Sequence, residues 1–163
     1  MRARDLAEPY PFVTTDDDAL VAARMFVEKS LPALLVLDAD GQPHAIVPGS
    51  QVLRQTLPAY VVDDPLLASA LQGRADREIV ERLEGITVAE WLPRRLFPPP
   101  YVGPDALLME VAALMARTHS PLIAVIEREA GKVRLLGTVT AARLMNSFLT
   151  GPPSGPAVPG PSG

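Results

Sequence analysis

Apolar and polar positions alternate along this chain in two long passages of the same design. In the first passage, Phe12–Thr14 reads as a short strand. Asp16, Asp17 and Asp18 follow, acidic side chains suited to capping the positive N-terminal end of a helix. Leu20, Val21, Met25 and Val27 predict an apolar stripe on that helix, which reaches about Glu28. Leu34–Leu37 is a continuous apolar run, the pattern of a buried strand. Asp38-Ala39-Asp40-Gly41 is turn chemistry. Ala45–Val47 predicts another strand, and Gly49–Leu57 a second helix that must stop before Pro58.

The second passage repeats this order. Tyr101-Val102 is a short strand, and Asp105 is placed to cap a helix running to about Thr118. Leu107, Leu108, Val111, Leu114 and Met115 form its apolar side. Leu122–Ile126 predicts a buried strand, Glu127–Gly131 a turn, Val133–Val139 a strand and Thr140–Leu149 a closing helix. The repetition extends to letters. Val21-Ala22-Ala23-Arg24-Met25 matches Val111-Ala112-Ala113-Leu114-Met115. Pro32 before Leu34–Val36 matches Pro121 before Ile123–Val125, and Ala45–Pro48 matches Gly137–Thr140. Chance would explain one such match between apolar helices. Three in the same order point to internal duplication.

Between the passages, Asp64-Pro65 is a helix start with proline at the first helical position. Leu66, Leu67, Ala70 and Leu71 follow, with Gly73 as the expected stop. Arg74–Leu83 predicts a second connector helix, apolar at Ile79, Val80 and Leu83 and charged on its solvated face. The final residues, 151–163, hold five prolines and four glycines. They bury too little to offset their ordering entropy, so a disordered tail is expected. The boundaries are therefore 1–58, 59–85, 86–150 and 151–163.

Composition narrows the chemistry. The 163 residues carry a net charge of −4, which argues against a nucleic-acid binder with a basic face. No cysteine is present, which removes disulfides, thiol nucleophiles and Cys-ligated metals. His44 and His119 are the two histidines, and neither belongs to a metal-ligand pattern. His119 reads as a residue at the edge of the second buried strand. The start lacks an apolar targeting segment, and no apolar run approaches the roughly 20 residues that span a bilayer. A cytoplasmic protein without membrane insertion is expected. The acidic triplet Asp16–Asp18 lacks the oxygen-alternating loop of a calcium site. No glycine loop for phosphates and no nucleophile elbow occurs. The expectation is a non-enzyme with no cofactor.

The duplicated β-α-β-β-α unit resembles the CBS domain family. Ala3–Leu6 and Thr87–Leu92 look like the short lead-ins that precede the first strand of such repeats. Ser30–Asp38 and Ser120–Glu127 are similar to the family's apolar strand after a small residue or proline. The resemblance implies an α+β fold of tandem repeats packed as a pseudo-twofold pair, a Bateman module that commonly forms homodimers. It further implies a regulatory role, with an adenosine ligand such as AMP, ADP, ATP or S-adenosylmethionine in the cleft between repeats.

The family's ligand signature runs glycine, two apolar residues, Thr or Ser, two residues, then Asp. The carboxylate can accept the two ribose hydroxyl protons. The Thr hydroxyl and the helix N-terminus can hold phosphate oxygens. In the first repeat Ala45 opens the signature, Pro48 stands for the Thr and Gln51 for the Asp. In the second, Gly137 and Thr140 match and Arg143 stands for the Asp. Arginine only donates, so it cannot receive a ribose hydroxyl, though it can clamp a phosphate. Two readings follow. In one, Gly137, Thr140, Arg143, Pro48 and Gln51 bind an anionic adenosine compound and the module regulates a partner. In the other, Thr140 merely caps a helix, Arg143 is solvated, and the pair is a ligand-free dimerisation scaffold for a transporter or enzyme.

Overall fold

The computed structural model describes residues 1–93 and 98–151. The expected tail lies almost wholly outside them. The first repeat contains α1 (Ala3–Leu6), β1 (Phe12–Thr14), α2 (Ala19–Glu28), β2 (Ala33–Leu37), β3 (Pro43–Pro48) and α3 (Gly49–Thr56). The connector holds α4 (Ala59–Asp63), α5 (Pro65–Ala70) and α6 (Gln72–Leu83). The second repeat follows with α7 (Val88–Trp91), β4 (Tyr101–Val102), α8 (Leu108–Thr118), β5 (Leu122–Glu129), β6 (Lys132–Thr140) and α9 (Ala141–Thr150).

Each repeat forms one three-stranded sheet, ordered β1-β2-β3 and β4-β5-β6. The outer pairs are parallel (β1 with β2, β4 with β5) because a helix carries the chain back between them. The inner pairs are antiparallel, closed by short turns. Register shows the duplication residue by residue. Val36 faces Ala45 as Val125 faces Gly137, and Ala33 faces Pro48 as Leu122 faces Thr140. Both ladders shift register at the same point, after Val36 and after Val125. Helices α2 and α8 are also followed by residues with left-handed backbone, Ser30 at φ 49° and His119 at φ 52°.

The lead-ins are exchanged between repeats. Backbone bonds tie Ala3 and Arg4 of α1 to the carbonyls of Ala106 and Pro104. Ala3 and Leu6 are buried in one core with Val111, Ile123, Val125 and Val139. Reciprocally, Val88 and Ala89 of α7 donate to Asp17 and Thr15, and Val88 and Trp91 pack with Leu34, Val36 and Val47. Neither sheet's core is complete without the other repeat's lead-in, so the two repeats fold as a unit.

Several sequence expectations are corrected by packing. On α2, Val21 and Val27 face solvent, 64 % and 71 % exposed, while Ala19 and Ala22 are fully buried. Small residues let that helix sit close to its sheet. Asp105 does not cap α8. Leu107 is the capping position, its amide donating to the Glu110 carboxylate at 2.7 Å, and Asp105 pairs with Arg4 instead. Gly73 is not a stop but lies inside α6, and the break between connector helices falls at Leu71. A further short helix, α4, precedes Asp64, whose side chain caps α5 as expected. Strand β5 runs on to Glu129, which confines the turn to Ala130 and Gly131, both at positive φ.

Candidate functional site

The two β-to-α junctions, β3 into α3 and β6 into α9, carry the predicted site residues. At the first, Pro48 occupies the capping position of α3 with no side-chain bond to offer. The Gly49 amide is taken by the Pro32 carbonyl at 3.1 Å. Pro48 and Gln51 are half-buried and border an open cleft of about 780 Å³. That volume suits a drug-sized or nucleotide-sized molecule. Its opposite wall comes from the second repeat: Pro98–Pro100 ahead of β4, and Arg117–Ser120 where α8 turns into β5. Arg117 and His119 bring basic chemistry to the rim, and no acidic side chain lines the cleft among the described residues. The cleft therefore favours an anion.

The second junction is built differently. Thr140 caps α9, its hydroxyl oxygen accepting from the Arg143 amide at 3.3 Å. The chain's own N-terminal segment lies against this junction. Glu8 and Thr138 exchange both backbone hydrogen bonds, at 3.0 and 2.9 Å. Gly137 permits this approach: a Cβ there would lie 2.5 Å from the Glu8 carbonyl oxygen. The Glu8 carboxylate then meets Arg143 at 2.8 Å, and Arg143 Nε donates to the Leu6 carbonyl at 3.1 Å. Nearby, the Tyr10 hydroxyl donates to the Ala33 carbonyl at 2.6 Å. Burial pushes this phenol above its ordinary pKa, and the Ala33 backbone bond partly offsets the push.

A family model for the CBS domain matches residues 3–56 and 88–150. The chain belongs to the CBS domain family. Among solved structures it is similar to a CBS domain-containing protein of unknown function from Kribbella flavida DSM 17836. That likeness has 37 % identity and TM-score 0.77, covering 91 % of this chain and 99 % of the other. It also resembles the CBS-pair protein CBSX2 from Arabidopsis thaliana, at 18 % identity and TM-score 0.64, covering 91 % and 94 %. CBSX2 in complex with AMP matches at 19 % identity and TM-score 0.59, covering 91 % and 96 %. Comparison with curated proteins returns no match.

For this CBS pair, the predicted site residues separate into two groups. Pro48 and Gln51 line the open cleft, whereas Gly137, Thr140 and Arg143 do not. Arg143 is neither a freely solvated helix residue nor an unoccupied anion clamp, because Glu8 and Leu6 already hold it. Arg117, His119 and the three prolines before β4 are additions that sequence reasoning missed. The signal was present: Arg117–His119 fall at the same point of the second repeat as Glu28–Ser30 in the first. A smaller hollow of about 240 Å³ lies beside the connector, bordered by Gln55, Arg82, Glu90 and Trp91. Among the described residues, the buried Trp91 indole nitrogen has no partner. No described helix is long and apolar enough to cross a membrane.

Proposed function

We propose that the protein is a stand-alone, non-catalytic CBS pair of the cytoplasm that senses an adenosine nucleotide or related anion and modulates a partner. The observation that carries this reading is the cleft at Pro48 and Gln51, nucleotide-sized and bordered by basic but no acidic described side chains. In this reading Arg117 and His119 meet phosphate, and the Gln51 amide oxygen accepts from ribose where the family uses Asp. Gly137, Thr140 and Arg143 would form a matching second seat only once the Glu8 carboxylate leaves Arg143. The AMP complex of CBSX2 supplies the precedent for the ligand class. Residues 1–58 and 86–150 act as the two sensing repeats, with 59–85 as connector.

A melting series tests the reading. AMP, ADP, ATP and S-adenosylmethionine at millimolar concentration are each added to the full chain and to Arg117→Ala and Arg143→Ala variants. A ligand at about 100 times its Kd adds roughly 2.7 kcal/mol of stability by mass action. At least one compound is expected to raise Tm in the wild type and less in Arg117→Ala. No shift with any of them refutes sensing.

The second reading, a ligand-free homodimeric scaffold for a transporter or enzyme, is favoured by one feature. Large apolar side chains stand exposed on helices of both repeats: Val21, Val27, Leu53, Met109, Met145 and Phe148. Isolated apolar residues need no explanation, but several together on the helices of both repeats fit a self-association face.

A further inference from the structure

We propose that the two inter-repeat clefts are inequivalent by construction: Glu8 acts as a built-in latch on Arg143 that closes the second cleft, while the first stands open. Three paired positions carry the inference. The lead-in helices align through the same amide-to-carboxylate bond at their starts, Arg2 to Asp5 at 2.7 Å in α1 and Thr87 to Glu90 at 3.4 Å in α7. Buried Ala3 and Leu6 correspond in turn to buried Val88 and Trp91. Carried two residues further, Glu8 corresponds to Pro93. Glu8 uses its amide to bond Thr138; proline has no amide hydrogen to give. Pro93 instead borders the open cleft.

The strand beneath differs in the matching way. Gly137 admits the Glu8 carbonyl, and the position equivalent to it in the first sheet is Ala45, which carries the Cβ that Gly137 lacks. The helix beyond differs as well. Arg143 receives a carboxylate from the lead-in, and its counterpart Gln51 is neutral. Backbone, strand and helix therefore change together, which one chance substitution would not produce. The Glu8 carboxylate sits on the guanidinium that a ligand anion would otherwise engage. An anionic ligand fills the first cleft and enters the second only by displacing Glu8, a step whose biological sense rests on the sensing function proposed above.

Two measurements on the full chain decide this. Calorimetric titration with AMP is expected to give one site per wild-type chain and two per Glu8→Ala chain. Two sites in the wild type, or one site in both proteins, overturns the latch. If the wild type binds no AMP, the sensing reading fails by itself, and the latch is decided by amide exchange without any ligand. Arg143→Ala is expected to speed exchange of the Glu8 and Thr138 amides by about two- to fivefold, the scale of an exposed ion pair. The Val36 and Ala45 amides of the other repeat serve as the unchanged control. Unaltered exchange at Glu8 and Thr138 overturns the latch whatever AMP does.

Discussion

Replacing Gly137 with alanine tests the tightest backbone approach to any described glycine. The added Cβ would lie 2.5 Å from the Glu8 carbonyl oxygen, 2.8 Å from its carbonyl carbon and 3.0 Å from its amide nitrogen. All three atoms are backbone, so no flexible side chain can swing away. The glycine also holds φ at 155°, which an L-residue rarely adopts. Two outcomes are open to the variant. If the N-terminal segment stays in place, the overlap is stored as strain, costing about 1–3 kcal/mol. If the segment lifts, the two Glu8–Thr138 bonds are lost at roughly 0.5–1.5 kcal/mol each. Both routes converge on about 2 kcal/mol, or roughly 4–8 °C in Tm for a chain of this length. Chemical denaturation of wild type, Gly137→Ala and Gly103→Ala measures it. Nothing lies within 4 Å of a Cβ at Gly103, and its φ is not in the unusual range. That control should remain within about 0.5 kcal/mol of wild type. A Gly137→Ala protein as stable as the control, with Glu8 and Thr138 amides still protected, would refute the assignment of Gly137 to the chain's own approach.

Thr140→Ala removes the cap of α9 and is expected to cost about 0.5–2 kcal/mol, read by the same denaturation curves. Tyr10→Phe tests the half-buried phenol. Because its folded pKa is raised, its contribution is complete below the unfolded value near 10 and fades as pH rises through the folded value. Wild type should thus lose stability relative to Tyr10→Phe only above about pH 10, and parallel profiles would contradict the burial argument. Phe148→Asp places a charge on the exposed apolar face of α9. Light scattering should show a wild-type mass near twice 17.4 kDa and a variant mass near 17.4 kDa; a wild-type monomer at all concentrations removes the dimer.

Periodicity and repetition exposed most of the fold, and particular residues show where they stopped. Pro32 and Pro121 mark the same place in each repeat, and the buried strands after them read plainly from uninterrupted apolar runs. The α2 stripe misled because size, not hydrophobicity, decides which face lies close to a sheet. Ala19 and Ala22 go inside while Val21 and Val27 stay out. Asp105 looked like a cap because an acidic residue before a helix usually is one. Arg4, a hundred residues earlier, draws it away, and local rules carry no trace of that distance. The site followed the same pattern. Signature spacing located Pro48, Gln51, Gly137, Thr140 and Arg143. It did not reveal that Glu8 reaches Arg143 across the whole chain, or that Arg117 and His119 complete the cleft at Pro48. Those are consequences of how the two repeats come together, which pairwise letter matches do not encode.

The exchange of lead-ins also explains how a cleft in such a protein could matter at a distance. A ligand regulates only through a difference in its affinity for two arrangements of the molecule. Each lead-in is packed in the core of the opposite repeat, and its C-terminal continuation borders a cleft. Val88 and Trp91 lie under the first sheet, and Pro93 follows immediately at the rim of the open cleft. In the proposed sensing reading, a ligand seated against Pro93 and Pro99 would act on the segment that joins the connector to the second repeat. The second cleft contributes the opposite property. With Glu8 bonded to Thr138 and Arg143, its lead-in is already held before any ligand arrives. A symmetric pair with two open clefts would divide the ligand's effect between equivalent sites. In the proposed latch, closing one by the chain's own residues would concentrate it in the other.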